Sequence, residues 1–136
     1  TYKEKVEKQI EKVKAADPKL KGMVNGLEGS KNVHKIESTP DWNSNSTDGN
    51  PANESNGKGT GSTTFFDPDQ TKRSDGSTRD PSVGLAHELQ HADDKDKGVM
   101  DRSIEPKTGN KKSEDRAIET ENIMRKTTGD PPRTTY

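Results

Sequence analysis

No cysteine occurs in the 136 residues, so no disulfide can hold the fold, and any metal site must be built from nitrogen and oxygen. Aromatic residues are almost as scarce: two Phe, two Tyr and one Trp make up 4% of the chain. Leu, Ile, Val and Phe together number 17, and hydrophobic residues of every kind reach only 21%. No apolar run approaches the roughly 20 residues of a membrane span, and no N-terminal signal peptide is visible. So thin an apolar complement falls in the range where chains stay disordered. Charge argues the other way. Charged residues form 35% of the sequence, yet 23 Lys and Arg nearly cancel 24 Asp and Glu, for a net charge of −1. Disordered chains of this polarity usually carry a large imbalance. The interspersed signs leave no basic stripe for nucleic acid and no polybasic patch for a membrane. The length suits a single domain, residues 1–136, and a start at Thr1 rather than methionine points to a piece of a longer protein or a processed product.

What is present is concentrated in one stretch, Gly84-Leu85-Ala86-His87-Glu88-Leu89-Gln90-His91-Ala92, which holds two of the three histidines in the pattern H-E-x-x-H. On a helix, positions i and i+4 stand one above the other, so His87 and His91 can aim ring nitrogens at one point. Glu88 is turned about 100° from His87, too far to be a third ligand and near enough to reach a water beside a metal. Zinc with two histidine ligands and a glutamate general base is the chemistry this spacing serves. Leu85, Ala86, Leu89 and Ala92 make the segment the most apolar helical stretch, so the histidines border a core. Pro81 and Ser82 start the helix and Gly98 stops it, which predicts a helix over 82–94. A metal that binds only the folded chain adds its binding free energy to folding, and that reconciles the thin core with a folded domain.

Taken in order, residues 2–16 read as a charged helix with Val6, Ile10 and Val13 on one narrow stripe, ended by Asp17-Pro18. Residues 1–18 then serve as a weakly packed support or as a link to an upstream region, with Tyr2 as an anchor. Between Leu20 and Pro40, short apolar groups alternate with glycine and polar residues, and Val33 to Glu37 has the period of a short strand. His34 on that strand reads as a surface or second-layer residue, with metal ligation as the alternative. Residues 41–62 are rich in Asn, Ser, Gly and Asp and predict a loop or a hairpin with a long tip, with Trp42 capping the core. Thr63 to Phe66 is a β-prone run stopped by Asp67-Pro68, either a plain sheet strand or an edge strand that pairs with substrate backbone. Residues 69–80 and 93–112 read as polar loops, the second anchored by Val99, Met100 and Ile104.

Ser113 as N-cap, Glu114-Asp115 in a first turn, and Gly129 with Pro131-Pro132 as a stop predict a helix over 114–127. Glu114, Ala117, Ile118, Glu121 and Met124 share one stripe, while Glu119 points away. Two carboxylates on an apolar face need a partner, and the histidines or their metal provide one; solvated charges on a frayed C-terminal helix are the alternative. Glu114 and Glu121 lie nearly two turns apart, roughly 10 Å along the axis, so only one can ligate; the other orients a histidine through its free ring nitrogen.

The runs LAHELQHA and SEDRAIETENIMRKTTG, with the terminal Pro132-Arg133-Thr134-Thr135-Tyr136, resemble the NleD-like effector metallopeptidases, including domains at the tips of Rhs and other polymorphic toxins. The likeness reaches weakly back through GTGSTTFFDPD at 59–69, and residues 1–58 agree only in general layout. H-E-x-x-H is common to zincins; E-x-x-A-I, E-N-x-x-R and R-x-x-Y carry the family resemblance. It implies an α+β zincin-like fold, with the active-site helix and the C-terminal helix packed on a small mixed sheet. By the same likeness to gluzincins, Glu114 is the third ligand beside His87 and His91, followed by Arg116-Ala117 as in clostridial neurotoxin proteases. Arg133 and Tyr136 then resemble an Arg and Tyr pair that supports the transition state. The implied function is a zinc-dependent endopeptidase, secreted or delivered into a target cell, that cleaves a protein in the target cytoplasm. A cognate immunity protein is the further partner that the toxin members imply. A zinc-stabilised binding module without catalysis, and an amidase acting on cell-wall peptides, are the competing readings.

Overall fold

The structure is a computed structural model that describes residues 1–39, 45–73 and 76–134. Four helices and a three-stranded mixed sheet give an α+β architecture, in the order α1 (Tyr2–Ala16), α2 (Pro18–Glu28), β1 (His34–Glu37), β2 (Ser46–Gly49), β3 (Ser62–Phe65), α3 (Pro81–Lys97) and α4 (Lys112–Thr128). No helix among the described residues is long and apolar enough to cross a membrane. Trp42 lies outside the described residues.

Helix α1 has the predicted bounds, with Thr1 closing a capping box on Glu4. It packs more deeply than a narrow stripe suggests: Val6 and Val13 join the core, and the Tyr2 hydroxyl donates to the Phe66 carbonyl at 2.9 Å. Helix α2 was not anticipated. Asp17 caps it, Pro18 opens it, and Leu20, Val24 and Leu27 are its buried stripe at the i, i+4, i+7 spacing. Gly22 and Gly26 within so short a segment disguise the pattern, because glycine lowers helix propensity by about 1 kcal/mol.

In the sheet, β3 is the central strand, parallel to β1 (His34 beside Ser62) and antiparallel to β2 (Thr47 beside Thr64). The run at 63–66 is therefore the plain strand of the two alternatives, with both edges already paired. The hairpin expected over 41–62 is present as β2 and β3, and β2 takes the edge position. Its long glycine-rich tip has a packing purpose. Gly98, in the left-handed conformation at φ 70°, ends α3, and a Cβ there would come within 2.7 Å of the Gly59 amide nitrogen. Glycine on both sides lets the tip lie directly on the helix end.

Helix α3 runs through the centre. Asp80 caps it through Ser82, Pro81 occupies its first turn, and every residue from Ser82 to Lys95 is buried. It extends past the predicted end at 94, because Asp93, Asp94 and Lys95 have partners rather than solvent: Lys97, then Gln90 with Arg116, then Glu54. Of the three expected anchors in the following loop only Met100 is buried; Val99 and Ile104 are exposed. Helix α4 begins two residues earlier than predicted: Lys111 is the N-cap, without a side-chain hydrogen bond, and Ser113 sits buried inside the first turn. The stop at Gly129 holds, as does the inward stripe, with Glu114, Ala117, Ile118, Glu121 and Met124 all buried and Glu119 exposed.

The far end of α3 is tied to the sheet by one carboxylate oxygen. Asp96 Oδ1 accepts from the Ser30 hydroxyl, from Asn32 Nδ2 at 3.0 Å and from His34 Nε2 at 2.9 Å, while His34 Nδ1 meets the Ser62 hydroxyl at 2.7 Å. Burial works to raise the Asp96 pKa, but these donors win and hold it below its ordinary value. Asp96→Ala is expected to cost about 2 kcal/mol, the scale of several hydrogen bonds to a charged acceptor, measured by urea denaturation. Since the folded pKa is depressed, that contribution is complete well above about pH 4 and is lost as pH falls through the folded value. A variant whose stability gap to the parent stays constant from neutral pH to acid would contradict this role.

Candidate metal centre

Helix α3 presents His87 and His91 on one face, and α4 crosses it with the Glu114 to Glu121 stripe inward. The ligand-capable atoms of His87, Glu88 and His91 lie within 4.8 Å of one another, and all three residues are buried. The two imidazoles stand edge to face, 4.9 Å between centroids. Glu114 closes the group from α4: its Oε1 is 2.6 Å from His91 Nε2 and its Oε2 is 3.5 Å from His87 Nε2. On the opposite side of the ring, His87 Nδ1 meets Glu121 Oε1 at 2.8 Å. Each nitrogen of His87 thus faces a carboxylate from α4.

His87, His91 and Glu114 suit a divalent cation. Two imidazole nitrogens and a carboxylate, without thiolate, form a nitrogen and oxygen donor set. Neighbouring ligands on a tetrahedral zinc stand roughly 3.3 Å apart, given metal–ligand bonds near 2 Å, and the Glu114 to His87 gap already matches. Glu114 Oε2 is buried and makes no hydrogen bond. Charge points the same way. Burial would strip the proton from His87, but Glu114 and Glu121 outweigh it and push its pKa up to about 9. The same pairing, against burial, holds Glu114 well below the usual carboxylate range and Glu121 at about 2. The carboxylates require a positive charge at this point, and without metal a proton supplies it.

Glu88 lies beside the group with its carboxylate toward the sheet. Thr47 Oγ1 on β2 is 3.0 Å from Glu88 Oε1 and 3.1 Å from the Glu88 carbonyl, with Thr64 Oγ1 behind it at 3.3 Å. The sequence reading missed Thr47, and its position in a polar Asn- and Ser-rich stretch carries no signal; only the strand register brings it to the helix. A cleft of about 420 Å³ opens over Glu88, His91 and Glu114, with Thr47 on one wall. His34 meets Asp96, five residues beyond His91 and nine beyond His87 on α3, roughly 7–13 Å along the axis, so it takes no part in the group.

The C-terminal segment returns to the same place. Asn122 clasps the Arg133 main chain, accepting from its N–H at 2.7 Å and donating to its carbonyl at 2.9 Å. Arg125 holds the Pro131 carbonyl at 3.0 Å, and Arg133 Nη1 donates to Glu121 Oε1 at 3.0 Å. Arg133 therefore approaches His87 from the Nδ1 side, through Glu121. Tyr136 lies outside the described residues.

A family model described as effector protein, Peptidase_M91, matches residues 1–119. The chain belongs to this family of NleD-like effector metallopeptidases. No curated protein and no solved structure matches it. The family match covers α1, α2 and the whole sheet, so the kinship extends through residues 1–58, where the motifs alone suggested only a common layout. It ends within α4. In this Peptidase_M91 chain, His87, Glu88, His91 and Glu114 fall inside the matched region, and Glu121, Arg133 and Tyr136 lie beyond it.

Glu121 is fully buried between His87 and three arginines: Arg125, Arg133 and, at 3.9 Å, Arg79. Glu121→Ala would leave the buried Arg125 guanidinium facing two like charges. The expected loss is about 3–5 kcal/mol in metal-free protein, the usual cost of breaking a buried pair on one side, read from urea unfolding. A loss under about 1 kcal/mol would show that solvent already satisfies these arginines.

Proposed function

We propose that this chain is a zinc-dependent endopeptidase, delivered into a target cell as a bacterial effector or toxin, that cleaves a protein in the target cytoplasm. The observation that carries the reading is the convergence of His87, His91 and Glu114 on one point with the Glu88 carboxylate beside it and an open cleft above. His87, His91 and Glu114 would hold the zinc in a zincin-like arrangement. A non-catalytic zinc site closes with a fourth protein ligand and has no use for an acid next to its first histidine. Here the fourth side is the cleft.

Zinc in this position supplies Lewis acidity, polarising the scissile carbonyl and lowering the pKa of water toward 7. Glu88 takes the proton of the attacking water and hands it to the leaving amine. Thr47 fixes which way the Glu88 carboxylate faces, and Glu121 fixes the His87 ring through Nδ1. Arg133, paired with Glu121 behind the His87 ring, acts through that histidine, and Tyr136 is left as the hydroxyl that would meet the oxyanion developing on the substrate carbonyl. The clasp of Asn122 holds the chain at Arg133 against α4. The outer edge of β2, unpaired among the described residues, lines the cleft and is where a substrate backbone would add as a further strand.

The test is zinc-loaded protein incubated with target-cell lysate, with new N-termini identified by mass spectrometry, beside Glu88→Gln. The variant keeps every proposed ligand, so its zinc content stays near one per chain while cleavage falls by about 100-fold or more. Equal cleavage by variant and parent contradicts the peptidase reading, and loss of zinc from the variant makes Glu88 a ligand.

A further inference from the structure

One turn beyond His91, on the same face of α3, stands Lys95. Its stem crosses Gly49 of β2, where an added Cβ would come within 2.8 Å of Lys95 Cδ, so that strand end must be glycine. Its ammonium donates to Glu54 Oε2 at 2.7 Å, with 1% of Lys95 and 4% of Glu54 exposed. The other oxygen of Glu54 accepts from Arg102. One carboxylate therefore serves two cations, one sealed in the protein and one with half of its side chain exposed.

Lys95, Arg102 and Lys111 all line the cleft that holds Glu88, His91 and Glu114. With a divalent cation on the histidines, the charges of Glu88 and Glu114 are balanced. Glu54 and Asp48, a further acid whose charge acts on Lys95, offset two of the three cations, and one positive charge remains over a cleft of about 420 Å³. The wall that carries Arg102 is pinned in place. Met100 N–H donates to the Glu54 carbonyl at 2.8 Å, Ser55 Oγ to the Met100 carbonyl at 2.6 Å, and Gly57 N–H to the Gly98 carbonyl at 3.0 Å. Met100 and the exposed Ile104 flank it and give apolar contact for the stem of an incoming side chain. A guanidinium held by Glu54, with an apolar approach on the wall of an open cleft, suits a carboxylate.

We propose that this cleft selects substrates with an aspartate or glutamate within a residue or two of the bond that is cut, received by Arg102 and Lys111. The proposal rests on the peptidase reading above and names its substrate class. Arg102 provides the directed hydrogen bonds and Lys111, exposed across the cleft at the start of α4, adds charge.

Two peptide libraries separate the possibilities. They share randomised flanks without Asp or Glu and differ only at one central position, glutamate in one and glutamine in the other. Binding to zinc-loaded Glu88→Gln protein, read by fluorescence anisotropy, needs no hydrolysis; cleavage by the zinc-loaded parent, read by mass spectrometry, does. The glutamate library is expected to bind and be cut about tenfold better, the scale of one charge-assisted hydrogen bond at a half-exposed group. Arg102→Ala brings the ratio of the two libraries toward one, with zinc content and melting temperature retained because Glu54 keeps Lys95. Lys111→Ala, at an exposed position, lowers the ratio in the same direction and serves should Arg102→Ala fold poorly. Preferential binding without cleavage of either library would sustain the acidic preference and contradict the peptidase reading. Equal binding and equal cleavage of both libraries overturns the proposal, and a preference unchanged in both variants removes it from Arg102 and Lys111.

Discussion

Two carboxylates of α4 are buried against two imidazoles of α3, and the rest of the molecule is arranged so that they meet. Isolated in a core this thin, any of the four groups would be costly to ionise. Facing one another they are mutually compensated, and they draw the two helices together where Thr120 of α4 also donates to Gln90 of α3 and Met124 of α4 joins the core cluster. Charge balance and apolar packing therefore pull α3 and α4 to one register. The small sheet closes the remaining face of α3, with Thr47 touching Glu88 at one end and His34 touching Asp96 at the other. Few apolar residues suffice because polar partners fill what hydrophobic side chains fill in other domains of this size.

The same scarcity decides what can be read from the chain alone. The histidine helix and the inward stripe of α4 were legible because period and punctuation agree: Pro81 and Gly98 bound one, Gly129 ends the other, and the acidic positions fall in phase with Ala117, Ile118 and Met124. Helix α2 was not legible, since Gly22 and Gly26 interrupt a stripe of only three residues. The buried end of α3 was hidden for a different reason. Asp93, Asp94 and Lys95 have the composition of a solvated loop, and what buries them is far away in sequence: Glu54 lies 41 residues before Lys95 and Arg116 lies 22 after Asp94. Propensity sees neither. Strand neighbours were equally out of reach, so the edge position falls to β2 and not to the run at 63–66, and the Ser46–Gly49 sequence has no apolar alternation to announce it.

A polar scaffold has a functional consequence. The cleft is walled by groups held through hydrogen bonds rather than by a greasy pocket, and each group beside the metal point has a partner behind it: Thr47 for Glu88, Glu121 for His87, Glu54 for Lys95 and Arg102. Orientation is set from behind, as it must be where the reacting groups work within a few tenths of an ångström. The C-terminal segment joins this supporting layer through Asn122 and Glu121, so residues beyond the family match still bear on the histidines inside it.

The central claim is that α3 and α4 meet around a metal ligated by His87, His91 and Glu114, with Glu88 free to act as a base. A crystal structure of the zinc-loaded protein, with the ion located by its anomalous signal, tests it most directly. The account predicts one zinc with His87 and His91 nitrogens and a Glu114 oxygen each about 2.0–2.2 Å away, and no bond to Glu88 or Glu121. Zinc ligated by Glu88 or Glu121, or bound away from the histidine pair, would contradict it.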